Sequence, residues 1–242
     1  MLALILALLA ASSPFAQQFP VKTITLIVPA AAGGPTDTVA RMVAQAMGRE
    51  LKGQIVVENA GGAGGTIGAG RVARAAGDGY TLYVYHIGQA TFPALYRKLA
   101  FDPIGDFEPI GRIADVPMTL VARRELPATD FKELLAWLRT SGSKATLATA
   151  GLGSVSYLCG LLFMQATRTT MTEVPYKGTG PAMNDLLGGQ VDVMCDQTTN
   201  TTNLGTEPVS DSEATPGALL VQLKSEIERW GPIIRATGRF AD

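Results

Sequence analysis

Short unbroken apolar runs alternate along this chain with stretches in which apolar residues recur every three or four positions. The runs predict strands over residues 23–28, 54–58, 81–85, 109–113, 118–122, 145–148, 172–174 and 191–195. The periodic stretches predict helices over 36–51, 66–75, 130–141, 154–166 and 181–187. Unbroken runs mark strands buried on both faces, and helical spacing marks a face turned to a core. From Asp196 the chain turns polar (DQTTNTTNLGTEPVSDSEATPG) and reads as a loop or disordered segment. A last helix opens at Pro216 behind Thr215 as cap, with Leu219, Leu220, Leu223, Ile227 and Trp230 on one side. The rhythm is that of an α/β fold with parallel sheets covered by helices on both faces.

One strand-to-helix turn lies within TLIVPAAAGGPTDTVARMVAQAM. Leu26, Ile27 and Val28 form the buried strand, and Pro29 ends pairing because it has no N–H to donate. Gly33 and Gly34 let a ligand approach the backbone closely, and Thr36 or Asp37 is a candidate cap. The helix after it turns Val39, Met42, Val43, Ala46 and Met47 inward. The orphan N–H groups of its first turn and the positive end of its dipole make an anion site. Neither GxxxxGK[ST] nor GxGxxG is present, so this is not a nucleotide-phosphate loop. A second glycine-rich turn of the same kind spans 150–156, and two such loops from two lobes would face each other across a cleft.

Composition narrows the chemistry. The 242 residues are 47% hydrophobic and 17% charged, with a net charge of −1 and no basic cluster, which excludes nucleic acid as a partner. The apolar run from Leu2 to Ala11 suits a signal-peptide core and is too short to span a bilayer; a leader over 1–16 implies export. The leader lacks its usual basic start, the first cation being Lys22. Cys159 and Cys195 could pair as one disulfide or stay as two buried thiols. No metal site is expected, since His86 is the single histidine and the cysteines lack metal spacing.

Catalytic motifs are weak. GGAGGTIGAGRVA (61–73) nears a dinucleotide fingerprint, but no acidic residue ends the next strand, so a tight turn into a packed helix is the better reading. A hydrolase would use Ser154 or Ser156 with His86 as base, without a GxSxG elbow. Asp37, Asp185, Asp192 and Asp196 are not paired for acid–base work. Asp185 and Asp192 are expected on exposed surfaces, whereas Asp196 follows a buried strand and could face a cleft or cap amides. Thr179 and Gly180, ahead of Pro181, present backbone groups at another helix start.

Taken together, TLIVPAAAGGPTDTVAR, VVENAGGAGGTIGAGRVARA, FDPIGDFEPI, VPYKGTGPAMNDLLGGQVDVMCD and ATPGALLVQLKSEIERWGPIIRATG resemble the Bug family. These are the periplasmic substrate-binding proteins of tripartite tricarboxylate transporters. GGPTDT, HIG, LCGLLF and MCDQTTNTT are similar to its terephthalate-binding branch. The resemblance implies a two-lobed Venus-flytrap fold of the type II periplasmic-binding-protein class. It implies a non-enzymatic receptor, working as a monomer without a cofactor. Such a receptor binds an aromatic or other dicarboxylate and delivers it to membrane permease subunits. Carried over, the carboxylate sits on backbone amides and ordered water at Ala31, Ala32, Gly33, Gly34, Pro35 and Thr36 and at Gly153, Ser154 and Ser156. His86, Thr179, Gly180, Pro181 and Asp196 line the cleft, with Tyr85, Phe92 and Tyr157 near a flat ligand ring.

The implied division is lobe 1 over 17–118 and 215–242, lobe 2 over 119–203, and a polar connection over 196–214. Residues 115–124 form the crossover between lobes. Family members continue after Cys195 with further helices and strands, and here the chain passes almost directly to the terminal helix. A truncation after Asn203 would remove the return crossover, leave lobe 2 incomplete with an exposed sheet edge and apolar helix face, and weaken the hinge. A non-binding relic is the corresponding alternative.

Overall fold

A computed structural model describes residues 19–201, 207–238 and 240–241. The expected leader over 1–16 and the expected truncation point lie outside the described residues.

Lobe 1 is built on a parallel sheet of order β2-β1-β3, from β1 (Ile24–Val28), β2 (Ile55–Asn59) and β3 (Thr81–Tyr83). The unbroken run explains the central place of β1: Ile24, Leu26, Ile27 and Val28 are all buried. Three helices follow these strands: α1 (Pro35–Leu51), α2 (Thr66–Ala73) and α3 (Gly88–Leu95). Helix α3 has no counterpart among the expected helices. Every residue in it except Pro93 is buried, so it shows no polar face and no amphipathic stripe to read.

Lobe 2 holds β5 (Met118–Ala122), α4 (Phe131–Ser141), β6 (Thr146–Thr149), α5 (Val155–Thr167), β7 (Thr172–Pro175), α6 (Thr179–Leu187), β8 (Val193–Gln197) and the single turn α7 (Thr198–Thr201). Its sheet runs β5-β8-β6-β7, with only β5 antiparallel to its neighbour. Leu134 and Leu138 of α4 cover one face with Leu147 and Val193. Ala182 and Leu186 of α6 cover the other with Ala148 and Met194. Both faces of the sheet therefore carry a packed core, with β5 and β7 as its edge strands. Among the described residues of this lobe, the large apolar side chains that stay exposed are Phe131 and Leu187. A disulfide joins Cys159 of α5 to Cys195 of β8, with Cα atoms 6.0 Å apart, which decides between the two readings of the cysteines.

The expected strand over 109–113 is not formed, and Ile110 is 64% exposed. The pairing is instead made by β4 (Ala114–Asp115), antiparallel to β9 (Glu207–Pro208). This short ladder sets the outgoing and returning crossings side by side, so the return crossover expected to be missing is present. Arg112 reinforces it by donating to Asp115 and, at 3.0 Å, to Glu213. Gly111 permits it: a Cβ there would run into the Ala214 carbonyl. The polar stretch after β8 thus contains a helical turn and a strand. The returning chain ends in α8 (Pro216–Ala236), capped by the Thr215 side chain. Trp230 and Ile234 of α8 pack on Leu95 of α3 and on Tyr157 and Leu158 of α5, a core shared by both lobes.

Candidate functional site

The loop between β1 and α1 owes its shape to one carboxylate. Asp37 is buried, and its Oδ2 accepts from the Gly33 N–H at 2.8 Å and from Arg41 Nε at 2.9 Å. Asn59 at the end of β2 donates to Asp37 Oδ1 at 3.0 Å and to the Ala30 carbonyl at 3.3 Å. Burial pushes the Asp37 carboxyl up, but the bonds from Arg41, Gly33 and Asn59 outweigh it and hold the pKa below its usual 3.8. Neither Thr36 nor Asp37 is the N-cap: Gly34 takes that position without a side-chain bond, and Pro35 occupies the first turn. Helical geometry leaves the Thr36 and Asp37 N–H groups without an intrahelical acceptor.

The second loop of lobe 1 is Gly61–Gly65, leading into α2. Tyr85 donates to the Gly64 carbonyl at 2.7 Å and Tyr96 donates to the Ala63 carbonyl, so the phenols hold the loop by its carbonyls. Burial pushes the Tyr85 phenol up, which keeps it a donor. Its ring lies against the His86 imidazole, centroids 4.0 Å apart.

In lobe 2 the turn after β6 carries two hydroxyls. Ser154 is the N-cap of α5 and accepts from the Tyr157 N–H at 3.2 Å. Ser156 accepts from the Ala150 N–H at 2.8 Å, and the two hydroxyls share a hydrogen bond of 3.0 Å. Both serines are thus engaged in shaping the turn. His86 Nδ1 accepts the Gly88 N–H at 2.9 Å, and burial pushes the imidazole pKa down to about 3. A neutral ring whose Nδ1 already accepts carries its proton on Nε2, so it presents a donor and not a base.

These parts meet in one cleft of about 600 Å³ between the lobes. Ala31, Gly34, Pro35 and Thr36 line it from the first loop, with His86 beside them; Ser154, Ser156, Thr179 and Asp196 line it from lobe 2. Ala32, Gly33, Gly153, Gly180 and Pro181 belong to the same turns but do not line the cleft. Phe92 and Tyr157, expected near a ligand ring, are core residues at most 1% exposed, while Tyr85 does line the cleft. Sequence reasoning missed Gly61–Gly65, taken for a packing turn only, and Lys177. The starts of α1, α2, α5 and α6 all converge here, concentrating dipole and amide charge of one sign. Asp185 and Asp192 are elsewhere and not simply exposed. Asp185 accepts from the Tyr176 hydroxyl at 2.7 Å. Asp192 pairs with Arg123 at 2.8 Å and takes the Thr146 N–H at 2.9 Å. Among the described residues no group of His, Cys, Asp and Glu could hold a metal ion, and no helix is long and apolar enough to cross a membrane.

The sequence profile of the tripartite tricarboxylate transporter family receptors (TctC) matches residues 39–204. The chain belongs to this family. A protein of Agrobacterium vitis, encoded in the TAR-I ttuE-ttuC' intergenic region, is 55% identical over 184 residues, 76% of this chain and 53% of that protein. This TctC chain therefore spans about half the length of the curated relatives it matches. Among solved structures, the periplasmic binding protein BugD is 35% identical with a TM-score of 0.85, covering 93% of this chain and 100% of that one. MatC from Rhodopseudomonas palustris, with bound malate, is 32% identical with a TM-score of 0.80, covering 89% and 100%. A span of 93% cannot stop at residue 204, so the likeness to BugD extends into the terminal helix. A receptor family agrees with the serines and the histidine, whose hydrogen bonds leave no nucleophile–base pair.

Proposed function

We propose that this chain is the solute receptor of a tripartite tricarboxylate transporter: exported by its leader, non-enzymatic, and closing on a small dicarboxylate for delivery to membrane permease subunits. The observation that carries this reading is the convergence of four helix N-termini from both lobes on one cleft beside a neutral histidine. An anion there needs few cations, because amides and dipoles supply the positive potential. Hydrogen bonds to a charged group contribute ~1.5–3 kcal/mol each and each dipole ~0.3–1 kcal/mol. Four or five such bonds with the dipoles reach the roughly 8 kcal/mol of micromolar affinity, before ordering costs. The malate-bound relative supports a dicarboxylate. The GGPTDT and MCDQTTNTT motifs, with Tyr85 in the lining, extend the expected range to aromatic dicarboxylates such as terephthalate.

A melt of the chain from Gln17 with malate, succinate, terephthalate and citrate tests the reading. A ligand at a hundred times its dissociation constant adds about 2.7 kcal/mol of stability. A cooperative melt raised by at least one dicarboxylate is expected; a melt indifferent to all four overturns it.

A further inference from the structure

We infer that Lys177 reads the second negative charge of the ligand and makes this cleft selective for dicarboxylates over monocarboxylates. The inference rests on the receptor reading and names the residue that sets its ligand class. Among the described residues, the formally charged side chains in the lining are Lys177 and Asp196, both in lobe 2. Asp196 is buried in β8 and cannot attract an anion. Lys177 makes no ion pair among the described residues, so its charge stands ready for a ligand.

Its position is defined from both sides. Tyr176 is held by its N–H on the Thr149 carbonyl at 2.8 Å and by its hydroxyl on Asp185 at 2.7 Å. Gly178 comes so close to lobe 1 that a Cβ on it would stand 3.0 Å from Ala31 Cβ. The Lys177 backbone is therefore held where the lobes meet, just ahead of α6, and its side chain is exposed. The first carboxylate needs no lysine, since the starts of α1 and α5 receive it through amides; a second carboxylate on the same ligand needs a separate countercharge. An ammonium on a flexible stem accepts that charge at several ligand lengths.

Titration calorimetry on the whole chain with two matched pairs, succinate against butyrate and terephthalate against benzoate, tests this. The wild type is expected to prefer the diacid of at least one pair. Lys177→Met is expected to weaken diacid binding on the order of tenfold while leaving the monoacid within about twofold, and Lys177→Arg to keep the preference. An unchanged diacid-to-monoacid ratio in Lys177→Met, with an unchanged melt, overturns the role of Lys177 and leaves the receptor reading standing. No binding of any of these acids by the folded wild type overturns the role of Lys177, and a melt also indifferent to malate and citrate overturns the receptor reading with it.

Discussion

Asp37 Oδ2 accepts the backbone N–H of Gly33 at 2.8 Å, so the helix that opens the anion site holds the preceding loop with its own carboxylate. That amide, expected to serve the ligand, is consumed internally. The available donors move to the first turn of α1 and to the Gly61–Gly65 loop across from it.

Asp37→Asn is expected to lower stability by about 1–3 kcal/mol, the loss of a buried charge-assisted acceptor, and to weaken carboxylate binding by loosening the loop. Arg41→Ala should cost less, because its side chain is 55% exposed and such pairs contribute about 0–1 kcal/mol. Denaturant melts of both variants check the order. The pH dependence has a definite sign. The Asp37 pKa is lowered on folding, so its contribution is complete above 3.8 and is lost as pH falls through the folded value.

His86 acts earlier on the acid side. Its pKa drops from 6.5 unfolded to about 3 folded, so between these values the unfolded chain binds the extra proton. Stability then falls as pH falls, approaching ~1.4 kcal/mol per pH unit for one proton. His86→Asn keeps an acceptor for the Gly88 N–H and removes the titration. Melts from pH 7 to 4 should show a flatter decline in this variant; parallel curves would assign the slope to other groups.

Much of this was open to sequence reading, and the misses share physical causes. The β1–α1 turn and the 150–156 turn could be found because an apolar run, glycines and a helical period follow one another within twenty residues. Helix α3 could not, because burial on every side erases periodicity. The β4–β9 ladder could not, since two-residue strands leave no pattern and their partners lie far apart in the chain. Asp37 was visible as a residue but not as the keystone of its loop, which depends on Asn59 arriving from another strand. Lys177 was present in YKGTG, and only the approach of Gly178 to Ala31 brings it to the cleft wall.

The disulfide links two walls of the site. Cys159 lies one turn into α5 behind Ser154 and Ser156, and Cys195 precedes Asp196, so the bridge fixes the α5 start relative to β8. A closed loop over a separation of 36 residues is expected to contribute about 3–4 kcal/mol through the unfolded state. The paired change Cys159→Ser with Cys195→Ser should lower the melt by that amount. Reduction of the wild type should reproduce it, and reduction of the double variant should change nothing. A wild type insensitive to reductant would remove the bridge from the account of stability.

Glycines stand where the lobes touch. A Cβ on Gly64 would stand 2.5 Å from the Tyr96 hydroxyl of its own lobe and 2.7 Å from the Leu152 carbonyl of the other, and one on Gly178 3.0 Å from Ala31 Cβ. Gly64 has φ +58° and Gly178 φ +111°, so alanine at either also strains the backbone. Gly180 is the internal comparison, since a Cβ on it would meet nothing within 4 Å and its φ is ordinary. Gly64→Ala and Gly178→Ala are expected to weaken ligand binding on the order of tenfold, about 1.4 kcal/mol, by holding the lobes apart. Gly180→Ala should leave affinity unchanged, with at most a small change in stability because the residue precedes Pro181 in the first turn of α6. Small-angle scattering separates closure from local strain: the wild type should contract when ligand is added, and the Gly64 and Gly178 variants should contract less at saturating ligand. Full contraction in those two variants would place their loss in the loop backbone and not in the meeting of the lobes.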